Sequence, residues 1–183
     1  MPGAGVIILL QAVGGTSYDP EVVASRVRRV LEEAIGGSVE VVYSIWDFGA
    51  PIGAFNWSRK QYSAEEVNRR VYNAYKGFTD EGVMIVSIVE GDGYVDGLNF
   101  VFGLATPQFR VASVYTARLK DREKYVERLV KEIVHEIGHL LGLGHCSSDR
   151  CVMKFSNSIV EVDYKSEQFC NSCKARLRGL RWP

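Results

Sequence analysis

Apolar residues run without interruption from Val6 to Val13, which predicts a strand buried on both faces. Asp19-Pro20 then reads as a helix cap followed by the first helical residue. Val22, Val23, Val27, Val30 and Leu31 follow at helical spacing, and Gly36-Gly37 stops the helix. Val39 to Trp46, β-branched and aromatic, predicts a second strand. Ser63-Ala-Glu-Glu66 has the form of a capping box that opens a helix to about Lys76. Val83 to Val89 is a third strand with apolar residues on both faces. A β-α-β-α-β order predicts a mostly parallel sheet with right-handed crossovers.

The pattern then changes. Leu98 to Ala105 (LNFVFGLA) and Val111 to Ala117 are two further strands joined by a short turn at Thr106-Pro107. So short a connection requires antiparallel neighbours, so the sheet should be mixed, with an antiparallel strand at an edge. Asp121 can cap a long helix through Leu140 or Leu141, with Val126, Leu129, Val130, Ile133, Ile137 and Leu140 as its apolar stripe. Beyond Gly142 the chain is rich in loop signals, with a last helix expected from about Glu167 to Leu180. GDGYVDG at 91–97 lacks EF-hand spacing and reads as a plain loop. The fold class is α/β, with α+β character from the mixed sheet.

Composition narrows the function. With 183 residues, one domain is expected, large enough to bury its own core. The formal net charge is zero, so bulk electrostatics hold neither a nucleic acid nor a membrane surface. VIILLQAV has no basic segment before it and reads as a strand rather than a signal peptide. No apolar stretch approaches the roughly 20 residues that span a bilayer. The cytoplasm is the expected address, and there clustered cysteines are metal ligands more often than disulfides.

The chemistry lies in HEIGHLLGLGHC at 135–146, which holds all three histidines of the chain. His135 and His139, four apart on a helix, present imidazoles on one face and can bind one zinc at about 2.0–2.1 Å each. Glu136 lies beside the first ligand, where it can take a proton from zinc-bound water. Gly142 suits the helix end, and with Gly144 it lets the chain turn back so that His145 becomes the third ligand. Three protein ligands leave a position for water, whose pKa falls towards about 7. Hydrolysis of an amide bond through a tetrahedral intermediate follows. A lone H-E-x-x-H could equally be a helix with hydrogen-bonded core histidines, but H-E-x-x-H-x-x-G-x-x-H fixes five positions.

The four cysteines form two close pairs, Cys146 with Cys151 and Cys170 with Cys173, joined by an 18-residue loop. That is the layout of a closed Cys₄ structural zinc site, which would order a part of the chain poor in apolar residues. Two disulfides or free buried thiols are the alternatives. Cys146 directly follows His145 and would restrict where that imidazole points.

The extended histidine motif followed by Cys146, Cys151, Met153 in C-V-M, and F-C-N-S-C at 169–173 closely resembles the archaemetzincins, a family of metzincins. The resemblance implies a metzincin-like zincin: a twisted mixed sheet on helices, a long active-site helix and a small zinc-stapled C-terminal part. It implies a single protease domain over 1–183, with an N-terminal subdomain at 1–142 and a C-terminal one at 143–183. Met153 would lie in a tight turn beneath the metal without binding it. LNFVFGLA would be the cleft-rim strand that pairs with extended substrate. Two residues after the methionine, where some metzincins carry a metal-reaching tyrosine, stands Phe155, which has no oxygen. The implied activity is a zinc metallopeptidase acting on peptide or protein, with two zinc ions per chain and a monomer favoured. A zinc-stabilised peptide-binding module, or a zinc amidase on a non-peptide substrate, is the alternative.

Overall fold

The computed structural model describes residues 6–180. The chain runs β1 (Val6–Val13), α1 (Pro20–Ile35), β2 (Val39–Tyr43), β3 (Phe55–Asn56), β4 (Gln61–Ser63), α2 (Ala64–Asp80), β5 (Met84–Val89) and β6 (Gly93–Tyr94). It continues through β7 (Gly103–Thr106), β8 (Val111–Tyr115), α3 (Tyr125–Leu140), α4 (Ile159–Tyr164) and α5 (Asn171–Arg178). The main sheet has the order β2-β1-β5-β8-β7, and β3-β4-β6 form a second, small one. All pairings of the main sheet are parallel except β7 with β8, so the antiparallel strand does lie at an edge.

Alternation across the pleat explains the continuous apolar runs. Ile8, Leu10, Met84, Val86, Ile88, Ala112 and Val114 pack with α1 and α3 on one face. Val13, Ile85, Val89, Val111 and Tyr115 pack with Ala64, Val67 and Val71 of α2 on the other. The expected cap of α1 forms: the Asp19 carboxylate accepts from the amides of Glu21 and Val22 at 3.0 and 3.2 Å. Gly36, at φ +76°, ends that helix.

Several expected boundaries move, each for a local reason. β2 stops at Tyr43 because the Trp46 carbonyl is taken by the buried Gln11 amide at 2.6 Å. The Ser63 capping box does not close: Glu66 turns to Arg69 and Arg70, the latter at 2.6 Å. α2 passes Lys76, with non-helical angles at Tyr75, and the Lys76–Asp80 pair bridges its last turn at 2.6 Å. Of LNFVFGLA only 103–105 is strand, within β7, since the Arg59 guanidinium holds the carbonyls of Leu98 and Asn99 at 2.9 and 3.1 Å. A 3₁₀ turn at Pro107–Phe109 replaces the simple turn, and β8 ends at Tyr115. Asp121 caps a turn that precedes α3, accepting from the amides of Glu123 and Lys124. GDGYVDG is not wholly loop: Gly93–Tyr94 joins β4 as β6.

After Gly142 the expected last helix shrinks to α5, because the backbone at Ser166 and Gln168 is bonded to Arg150 and Val152 instead. α4 was not expected. Ser158 and Glu161 form its capping box, with the Glu161 carboxylate on the Asn157 amide at 2.6 Å.

Candidate metal centre and cleft

α3 carries its reactive side chains on a face turned into the molecule, where every residue from Arg128 to Gly138 is buried. Gly142, at φ +86°, reverses the chain: its amide bonds the His139 carbonyl, and the Leu143 amide bonds that of Gly138, both at 2.9 Å. His145 thereby returns beside the other two imidazoles, its ring centroid 5.4 Å from His135 and 4.9 Å from His139.

Two backbone carbonyls fix the imidazole tautomers. His135 Nδ1 donates to the Val152 carbonyl and His139 Nδ1 to that of Leu143, each at 2.8 Å. Their Nε2 lone pairs are left to face one another at 3.1 Å. Burial, foremost, holds all three imidazoles below their usual pKa, with the Lys165 ammonium adding to the effect. Neutral imidazoles with ligand nitrogens within 4.8 Å of one another suit a tetrahedral ion, whose edges at zinc–nitrogen bond lengths are about 3.3 Å.

Glu136 is buried against the edge strand. Burial, then the Glu132 charge, pushes its carboxyl well above the usual range, opposed by Lys165 and the Ala105 amide. The Tyr115 amide bonds the Phe102 carbonyl at 2.8 Å, which sets the register. Leu104 and Thr106 therefore bond β8, while Gly103 and Ala105 direct their backbone groups towards the cleft. Gly103 is where Glu136 lies: a Cβ there would meet its Oε1, and its Cγ and Cδ at 2.7 and 2.8 Å. The open cleft between β7, α3 and residues 142–145 has a volume of about 900 Å³.

Met153 is fully buried beneath the histidine helix. Its thioether packs on Gly138, where a Cβ would collide with the Met153 sulfur and lie 3.2 Å from Phe169. Phe155 packs on His145 with ring centroids 4.9 Å apart. Tyr164 points outward, 52% exposed under the Arg150 guanidinium.

The four cysteines converge on a second point. Cys146 and Cys170 sulfurs are 3.7 Å apart, and those of Cys151 and Cys173 3.8 Å apart. A tetrahedron with zinc–sulfur bonds of 2.3 Å has edges of about 3.8 Å. Backbone amides of Ser148 and Cys170 already donate to Cys146 and Cys151. Burial raises the Cys170 thiol, but the Cys173 amide and the neighbouring thiols outweigh it and bring it to about 7. The Cys146 amide bonds the Met153 carbonyl at 2.9 Å, so the thiol cluster, the methionine turn and His145 share one stretch of backbone.

Every residue singled out from the sequence falls in one of these two clusters or directly supports them. Sequence reasoning missed Gly103 and the buried pair Glu132–Lys165, whose charged atoms are 2.9 Å apart. Glu132 carried a signal, standing one turn before Glu136 on the same face; Lys165 carried none.

Two histidines and a buried glutamate on one helix, with a third histidine returned by the Gly142 turn beside an open sheet edge, define a metal-dependent peptide hydrolase. The chain matches the model of peptidase family M54 over residues 9–179. It is 52% identical to an archaemetzincin of Aeropyrum pernix over 129 residues, which is 69% of this chain and 70% of that protein. The crystal structure of an archaemetzincin from Methanopyrus kandleri superposes with a TM-score of 0.78 at 34% identity, covering 94% of both chains. A zinc-dependent peptidase from Methanocorpusculum labreanum gives 0.74 at 30% identity, over 93% of this chain and 99% of that one. The chain belongs to peptidase family M54, the archaemetzincins, and is accordingly a zinc-dependent metallopeptidase.

Proposed function

We propose that the enzyme hydrolyses peptide bonds with His135, His139 and His145 holding the catalytic zinc and Glu136 serving as general base and then acid. The observation that carries this reading is the pair of Nδ1-to-carbonyl bonds, which leaves neutral Nε2 atoms converging beside a buried carboxyl. Zinc bound there would supply the Lewis acidity that activates water and polarises the scissile carbonyl. Glu136 takes the proton of the attacking water and passes it to the leaving amine. The Gly103 amide and carbonyl and the Ala105 carbonyl face outward to an extended substrate. Met153 is the apolar floor that keeps the imidazoles from shifting, and Gly142 the hinge that returns His145.

Cys146, Cys151, Cys170 and Cys173 hold a second, structural zinc, giving two per chain; the sulfur spacings support this. We keep the two-subdomain division at 1–142 and 143–183 and a cytoplasmic monomer. The compartment is supported by four thiols at metal spacing, which an oxidising compartment would pair. Among the described residues no helix is long and apolar enough to cross a membrane.

Glu136→Ala is the test. Turnover of a peptide mixture should fall by about 10²–10⁴-fold with zinc content unchanged. Cleavage at the wild-type rate would refute the assignment of the base.

A further inference from the structure

The inner end of the cleft contains polar groups that catalysis does not use. Glu132 stands one helical turn before Glu136, and Lys165 follows α4 in the opposite wall; both line the cleft. Their side chains are 4% and 1% exposed. The ions touch at 2.9 Å but off the hydrogen-bonding direction, so Glu132 Oε1 and Lys165 Nζ have no hydrogen-bond partner among the described residues. Ser156 Oγ, also on the cleft, is buried and unpartnered too.

Bracing alone does not explain this. The other contacts between α3 and α4 are satisfied and lie outside the cleft: Arg128 clasps Asp163 at 2.7 and 2.8 Å, and Lys131 donates to the Val162 carbonyl. Buried polar atoms almost always carry hydrogen bonds, and an ion pair and a hydroxyl left without one at the same end of a cleft mark a place where a ligand completes them.

The charges select the ligand. A carboxylate entering here would meet Glu132 and Glu136, and an ammonium would meet Lys165 and the metal. An aliphatic side chain would leave all three atoms without a hydrogen bond. A neutral group that both accepts and donates can accept from Lys165 Nζ and donate to Glu132 Oε1 without burying an unpaired charge.

We propose that Glu132, Lys165 and Ser156 form a recognition subsite for a carboxamide side chain, glutamine or asparagine, adjoining the bond that is cut. This rests on the metallopeptidase reading above.

The test is binding, by calorimetry, of short peptide hydroxamates to zinc-loaded full-length protein. The series would differ only in the side chain next to the hydroxamate: Gln, Leu, Glu or Lys. The Gln compound should bind at least about 10-fold more tightly than the others, the discrimination expected when a site's polar groups need a partner. In the volume-matched double variant Glu132→Leu/Lys165→Met the order should invert in favour of Leu. Ser156→Ala, a milder change, should weaken the Gln preference. Tight binding with no Gln preference, or a Gln preference that survives the double variant, would overturn the subsite alone. Failure of every hydroxamate to bind would contradict the metallopeptidase site itself, and the subsite with it.

Discussion

In β5 all six residues are buried, and the strands around it send alternate side chains into two apolar layers backed by α1, α2 and α3. In α4, by contrast, only Val162 is buried, and in α5 only Cys173 and Leu177. The first region is ordered by area removed from water. The second hangs on a few apolar plugs, polar ties to α3, further ties to α1 such as Arg26–Glu167 at 2.7 Å, and four thiols. The histidine centre straddles the two: His135 and His139 belong to the sheet-backed helix, whereas His145 and the Val152 and Leu143 carbonyls belong to the tail. In the proposed reading, the histidine centre is rigid on one side by packing while its other side depends on the zinc held by the cysteines.

Removing that ion should break the contrast most sharply. Cys173→Ser is expected to remove part of the roughly 10 kcal/mol of metal-linked ordering that a structural zinc can supply to the tail. Amide exchange should then lose protection at residues 151–177 while β1 and β5 keep theirs. Equal loss in both regions would show that they form one cooperative unit.

Next comes a change on the packed side. Gly103→Ala would drive a methyl into the Glu136 carboxyl. A displacement near 1 Å should lower kcat by about 10²-fold. Zinc content should stay constant, and the added Glu136→Asp change should recover part of the loss by shortening the side chain. Unchanged kcat in Gly103→Ala would mean that the glutamate does not need that space.

The smallest effect concerns the ties. The Arg128 guanidinium, ahead of all else, lowers Asp163 from 3.8 to about 2. A folded-state pKa below the unfolded one contributes stability above pH 3.8, and that contribution fades as pH falls through about 2. With solvent screening at a partly exposed carboxylate, it amounts to about 1 kcal/mol. Asp163→Asn should lose that stability at pH 7 and show a flatter acid dependence in the same window. A parallel pH curve for both proteins would rule out this tie.

The same division governs what the sequence discloses. β1, α1, β5 and the body of α3 were legible because burial writes its period into the chain and caps punctuate it. Boundaries moved where side chains competed for backbone or charge: Gln11 at Trp46, Glu66 with its arginines, Asp121 one turn early. The convergence of His135, His139 and His145 was legible because local spacing on one helix and one turn dictates their geometry. Glu132–Lys165 and Gly103–Glu136 were not, since each joins residues that only the tertiary fold brings together. α4 was missed although its capping box, Ser158 to Glu161, stands in the sequence; it offers too little apolar periodicity to be noticed.

Metal content per chain, measured by elemental analysis on tag-free protein purified without added zinc, reaches the centre of the matter. Two zinc ions per chain are expected, one on the histidines and one on the cysteines. A single zinc that survives mild chelation, or folded protein with none, would contradict a pair of metal sites built side by side on one turn of backbone.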